Sequence, residues 1–279
     1  MLDRLIFYFV NYPTVRYAAL ALILISVCSA LLGVTLVLRR FSMIGDGLSH
    51  VTFGAASVAT VMGLTTPIYI ALPITVVAAV LLLRIPRSSR IGGDAAVACV
   101  SAGSLAFGYL ILNIFPTPDG FSGDACANLF GQGILAISLF DVLVCLGLSV
   151  VLLVSFFLFY NRIFAVTFDP DFASATGVRT SLFNTLIAII TGVVTVVAME
   201  LVGALLVAAL IIFPALSAMR LFKSFSAVMV FAAILSVLCS ATGLAVSLLL
   251  STPVGSTVVC VDIVAFVGCY VVSRVKGKF

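Results

Sequence analysis

The feature that most limits this chain is a succession of apolar runs almost free of charge, near residues 17–38, 42–63, 67–83, 95–115, 134–160, 180–199, 201–219, 225–250 and 257–273. About 20 apolar residues in a helix cross the hydrocarbon core of a bilayer, and a helix satisfies its own backbone there. The expected fold is therefore all-α: a polytopic membrane helix bundle of about nine spans, or eight to ten if one run is re-entrant. Composition agrees, since 9% of residues are charged against roughly 25% in a soluble domain. Lipid is the solvent that such a surface fits.

Two of the runs are less clean than the rest. The second contains Asp46 and His50, and only a short stretch around Glu200 separates the sixth from the seventh. Pro67, Pro116, Pro118, Pro170 and Pro253 fall at or near run ends, where a missing N–H does no harm. Pro73 and Pro214 fall inside runs and should kink them unless neighbouring helices satisfy the freed carbonyls. No internal repeat, low-complexity segment or second domain stands out, so residues 1–279 read as one transmembrane domain. Residues 1–16 lack a cleavable signal and read as an interfacial amphipathic segment leading into the first span.

The basic residues fix an orientation. Arg39, Arg40, Arg84, Arg87, Arg90, Arg162, Arg179, Arg220, Lys223, Arg274, Lys276 and Lys278 all fall on one side of a nine-span chain. That side, with the C-terminus, is expected to be cytoplasmic in a bacterial inner membrane. The opposite loops hold Asp119, Asp124 and Glu200, and only Arg4 and Arg16 dissent. The net charge of +4 is thus loop charge and gives no reason to expect nucleic acid as a partner. Six of the seven cysteines lie in apolar runs as core fillers, and with Cys126 alone in a polar loop no disulfide framework arises.

Ionisable residues inside a membrane are costly, and each is a candidate for function. In Gly45-Asp46-Gly47-Leu48-Ser49-His50, the only histidine follows an aspartate by four residues, so both side chains share one helix face. Measured from Arg40, Asp46 lies about 9 Å and His50 about 15 Å along the axis, roughly mid-bilayer. Carboxylate and imidazole suit divalent first-row metals, but two ligands hold an ion poorly. Two copies of the helix across a two-fold axis would supply four, with Gly45 and Gly47 letting the helices approach. From spacing alone, an Asp–His pair that only stabilises packing explains the pattern equally well.

Four colinear blocks resemble the ABC-3 family, the permeases of bacterial zinc, manganese and iron importers. The first runs from Leu32-Gly33-Val34 through Leu38-Arg39-Arg40-Phe41-Ser42-Met43-Ile44 to His50. The second is Asn128-Leu129-Phe130-Gly131 with Ser138-Leu139-Phe140-Asp141. The third is Phe168-Asp169-Pro170-Asp171-Phe172-Ala173 with Thr176-Gly177-Val178. The fourth is Val202-Gly203-Ala204-Leu205-Leu206-Val207 through Ile212-Phe213-Pro214-Ala215. The resemblance covers about residue 30 to the C-terminus. It implies two permease copies as a homodimer or pseudo-dimer, cytoplasmic ATP-binding subunits, an extracytoplasmic metal-binding receptor, and transit of the ion past Asp46 and His50. Departures are Ala175-Thr176-Gly177, where the family has Ala-Leu-Gly, and Glu200, where it is often uncharged or has Gln.

Residues 168–179 also have their own physical case as a short coupling helix. Asp169 would be the N-cap, Pro170 would fill the first turn, and Phe172 would be an aromatic knob for an ATPase groove, beside Phe168. Glu200 and Asp262 are candidates for an entrance or second tier of the path. Asp141 should meet water near an outer span end, while Asn184 and Asn113 should bond between helices. The chain has no G-x-x-x-x-G-K-[ST] loop, so ATP hydrolysis falls to a partner and the chain is read as a transport subunit, not an enzyme. The expected cargo is Zn²⁺, narrowly ahead of Mn²⁺ or Fe²⁺, with no permanently bound cofactor. The alternative is an ion-coupled secondary transporter with carboxylate relays.

Overall fold

The computed structural model describes residues 2–64, 66–85, 93–115 and 137–275, with side chains described from residue 7 onward. Among these, eleven helices follow one another: α1 Leu2–Asn11, α2 Pro13–Leu38, α3 Ile44–Val61, α4 Ile68–Leu83, α5 Gly93–Ile114, α6 Leu139–Phe168, α7 Pro170–Ala175, α8 Thr180–Val202, α9 Ala204–Leu221, α10 Phe225–Leu250 and α11 Val254–Val275. Each of the nine apolar runs coincides with one helix. Among the described residues, seven helices are long and apolar enough to cross a membrane; the other two runs became α4, with 16 residues, and α3, with 18. The chain is a multi-pass membrane protein.

Helix α2 is the axis of the bundle. It packs against α6, α8, α9 and α10, and most of its length from Ala18 to Leu36 is buried. Helix α3 is held by α4, α5, α8 and α9. The turn between α2 and α3 is a Schellman motif: Arg40 sits in the left-handed region at φ 64, its N–H reaches the Val37 carbonyl at 3.0 Å, and the Phe41 N–H reaches that of Leu36 at 3.0 Å. Phe41 and Leu36 are both buried, which is the apolar contact this motif commonly carries. A fixed turn here sets the direction in which α3 leaves.

Other boundaries have equally local causes. Between α8 and α9 a single residue, Gly203, interrupts the helix at φ 90 and ψ 154, a conformation that a side chain would strain. Helix α6 begins with a capping box: the Asp141 N–H donates to Ser138 Oγ, and the Asp141 carboxylate accepts from the Ser138 N–H at 2.9 Å. It runs 30 residues, with non-helical backbone at Phe159 (φ -108, ψ 16). Helices α4 and α9 continue through Pro73 and Pro214, so neither proline ends its helix. Arg39, buried at the end of α2, donates to Asn184 Oδ1 on α8 at 2.8 Å, the interhelical bond expected of that asparagine. Asn113 instead donates to the Tyr109 carbonyl of its own helix, because one turn back is the nearest acceptor its side chain reaches.

The outward surface stays apolar, as with Tyr69, Phe140, Phe157 and Val264. Cys28, Cys145 and Cys239 are buried fillers, whereas Cys99 and Cys260 are exposed. Cys126, Asp119, Asp124 and the block Asn128–Gly131 lie outside the described residues.

Candidate metal site

Helix α3 carries the Asp–His pair, and its neighbours decide which way the pair faces. Successive residues of a helix are turned by about 100°. A Cβ placed on Gly45 would stand 2.6 Å from Ile211 Cδ1 and 3.6 Å from Ala208 Cα, so this flank lies against α9. A Cβ on Gly47 would collide with Val97 Cγ1, so the other flank lies against α5. Asp46, between them, points into the gap between α5 and α9. The opposite face, with Ile44 and Leu48, is fully buried. The two glycines therefore serve close approach within one chain, Gly45 to α9 and Gly47 to α5.

The open stripe is Met43, Asp46 and His50, at helical spacing, and it closes at the buried Phe53 and Ser57. His50 Nε2 lies 3.5 Å from Asp46 Oδ1, with side-chain exposures of 15% and 36%. His50 Nδ1 is buried with no hydrogen-bond partner. The pair thus has one nitrogen and the carboxylate on a half-open face, which is how two metal ligands from one helix would present themselves. Among the described residues no third His, Cys, Asp or Glu joins them. The described residues of one chain thus offer two ligands at this face.

Asp94, at the start of α5, was not singled out in the sequence, yet it holds the near end of α3. It accepts from Ser42 Oγ at 3.3 Å and from the Met43 N–H at 3.4 Å. A carboxylate there also meets the positive end of the α3 dipole. Thr52 Oγ1 and Thr75 Oγ1, 3.0 Å apart, tie α3 to α4 two residues beyond His50. The only cue in the sequence for Asp94 is its place just before the run 95–115, which does not name its partner.

Glu200 and Asp262 do not join the pair. Glu200 is exposed in the last turn of α8, beyond the closed end of the stripe, on the side where α6 starts with Asp141. Asp262 on α11 is 2% exposed; its neighbour is the Cys239 thiol of α10, and its Oδ2 has no hydrogen-bond partner. Helix α9 stands between α11 and α3, in contact with both.

Residues 168–179 form the short helix expected of them. Asp169 Oδ1 accepts from the N–H groups of Asp171 at 3.1 Å and Phe172 at 2.9 Å, and Pro170 occupies the first turn. The helix stops in a second Schellman motif, with Gly177 at φ 86, Val178 N–H to the Ala173 carbonyl at 3.0 Å and Gly177 N–H to that of Ser174 at 3.0 Å. The glycine is the residue this stop requires; the threonine before it is not. Ala173 is buried against Val166 and Phe183, whereas Phe172 is 64% exposed. Phe168 is half exposed, its ring 4.8 Å from that of Phe164 and 5.9 Å from that of Phe225.

The model of the ABC 3 transport family matches residues 11–273. Manganese transport system membrane protein MntC of Halalkalibacterium halodurans is 28% identical, over 99% of this chain and 94% of its own length. Manganese import system permease protein ScaB of Streptococcus parasanguinis is 27% identical, over 96% and 94%. Among solved structures, PsaBC from Streptococcus pneumoniae in complex with Fab contains a chain that superposes with a TM-score of 0.82 at 24% identity, covering 97% of this chain and 95% of that one.

Proposed function

Because the chain belongs to the ABC 3 transport family, we propose that it is the membrane-spanning permease of an ATP-driven divalent metal importer, passing its ion between two permease copies. The observation that carries this reading is the half-open Asp46–His50 stripe in the gap between α5 and α9. Ionisable groups directed at lipid cost about 2.5–3.5 kcal/mol or more each, so a stripe of this kind belongs on a wet passage. A second copy meeting the same face would bring two carboxylates and two imidazoles together. Remaining positions on the metal would be filled by water.

Manganese goes ahead of zinc as the cargo. The relatives above carry manganese in their names, and mixed carboxylate, imidazole and water ligation suits Mn²⁺. The chain lacks a phosphate-binding loop of the G-x-x-x-x-G-K-[ST] type, so hydrolysis is assigned to separate ATP-binding subunits. Those subunits would grip the α7 segment through Phe172, Phe168 and the capped turn at Asp169, on the basic and therefore cytoplasmic side. An extracytoplasmic receptor would deliver the ion to the opposite side, near Glu200.

The mechanism follows from ligand chemistry. The ion loses most of its water between the paired stripes, and the neutral imidazole and the carboxylate replace it. Motion imposed on α7 passes into α6 and α8, between which it is docked by Ala173. α8 touches α3, so that movement can widen one end of the passage and narrow the other. Reconstituted with its ATP-binding subunits, the protein should take up Mn²⁺ only with ATP. Uptake by this chain alone, driven by an ion gradient without ATP, would overturn the assignment.

A further inference from the structure

A cavity of about 750 Å³ opens between the end of α6 and the start of α8, on the basic side of the bundle. Its walls carry Arg162 and Arg179 together with Phe159, Leu182, Phe183 and Leu186. Both arginines are exposed, and among the described residues no carboxylate pairs with either. Arg162 rests over the Phe183 ring, 5.8 Å from its centroid, which holds the guanidinium at the cavity wall. A second cavity on the other side of α7 sets Asp169 and Asp171 beside Arg39 and Arg84, so its charges balance. The first is lined by two arginines and no carboxylate, on a wall that is otherwise mostly apolar apart from Thr176.

The depth of this cavity identifies its occupant. Phe159 is about 30 Å along α6 from Leu139, which is the thickness of the hydrocarbon core. Arg162 lies one turn farther, at headgroup level. Arg179 immediately precedes α8, whose 23 residues span about 35 Å, so it stands at the same level. Leu182 and Leu186 continue from Arg179 toward the bilayer centre along one face of α8.

We propose that this cavity binds one acidic phospholipid of the leaflet on the basic side, with its phosphate between Arg162 and Arg179 and an acyl chain along Leu182 and Leu186. A basic pocket between transmembrane helices is a known way to select anionic headgroups. Such a lipid would brace the joint where α6 bends at Phe159 and α7 follows, so lipid charge would tune how firmly α7 is held. This assignment depends on the chain being a membrane protein and is independent of which ion it carries.

The test is native mass spectrometry of the full-length permease released from detergent, with phosphatidylglycerol and phosphatidylcholine of matched chains in competition. The wild type should retain one phosphatidylglycerol in preference by about tenfold or more. Arg162→Gln with Arg179→Gln should fall to near parity, Arg162→Lys with Arg179→Lys should keep most of the preference, and Arg274→Gln on α11 should keep all of it. Millimolar inorganic phosphate should not displace the lipid. Equal retention of both lipids by the wild type, an unchanged preference in the glutamine variant, a loss as complete with lysine as with glutamine, or displacement by phosphate would each overturn the proposal.

Discussion

Asp46 and Asp262 are both carboxylates on helices formed from apolar runs, α3 and α11, and the protein surrounds them in opposite ways. Asp46 is 36% exposed, pairs with His50 at 3.5 Å and faces a gap between two helices. Asp262 is 2% exposed, with a thiol as its neighbour and one oxygen unpartnered. Both positions look alike in a string of letters, as one acid in an apolar run. What separates them is access: the first is open to whatever enters the gap between α5 and α9, while the second is closed in beside the Cys239 thiol of α10.

That contrast is sharpest where function is removed. Asp46→Ala and His50→Ala should each lower ATP-driven metal uptake by more than about a hundredfold, since even supporting groups around a metal site are worth 10–100-fold in affinity. Thermal unfolding of the purified permease should move little, because the stripe is half open. Normal uptake by both alanine variants would break the comparison outright.

A packing substitution on the same helix should look different. Gly47→Val would drive a side chain into Val97 of α5, an overpacking that costs about 1–3 kcal/mol. Its expected signature is a lower unfolding temperature together with reduced uptake. Uptake loss without any loss of stability at Gly47 would mean that the glycine serves the passage itself.

Smaller effects follow farther from the stripe. Phe172→Ala should leave stability unchanged, given its exposure, while cutting ATP-driven uptake several-fold and leaving metal binding intact. Asp262→Asn, at the sealed position, should keep uptake within about twofold of wild type and leave stability equal or higher, because a neutral group costs less to bury than a carboxyl with an unpartnered oxygen. A large uptake defect in Asp262→Asn with normal folding would place that residue on the path and erase the contrast.

Much of this was legible in the letters. Nine apolar runs became nine helices because the need to fill a bilayer thickness leaves a strong, simple mark. The capped turn at Asp169-Pro170 was legible too, since N-cap chemistry is local. Boundaries set by side-chain bonds were harder. The run near 134–160 became α6 at Leu139–Phe168, started by the Ser138–Asp141 box and carried past Asn161 and Arg162 into polar surroundings. The part of the site that could not be read was relational. Nothing local says that Gly45 meets α9 and Gly47 meets α5, that Asp94 holds the start of α3, or that Asp262 is closed off, because each depends on which distant helix lies alongside.

The most direct test is to look at the ligands of bound Mn²⁺ by electron paramagnetic resonance of the assembled transporter, using nitrogen couplings. The account predicts imidazole nitrogen from two equivalent histidines on the ion, lost in His50→Ala and retained in Asp262→Asn. Bound Mn²⁺ whose spectrum shows no histidine nitrogen, or one that His50→Ala leaves unchanged, would contradict it.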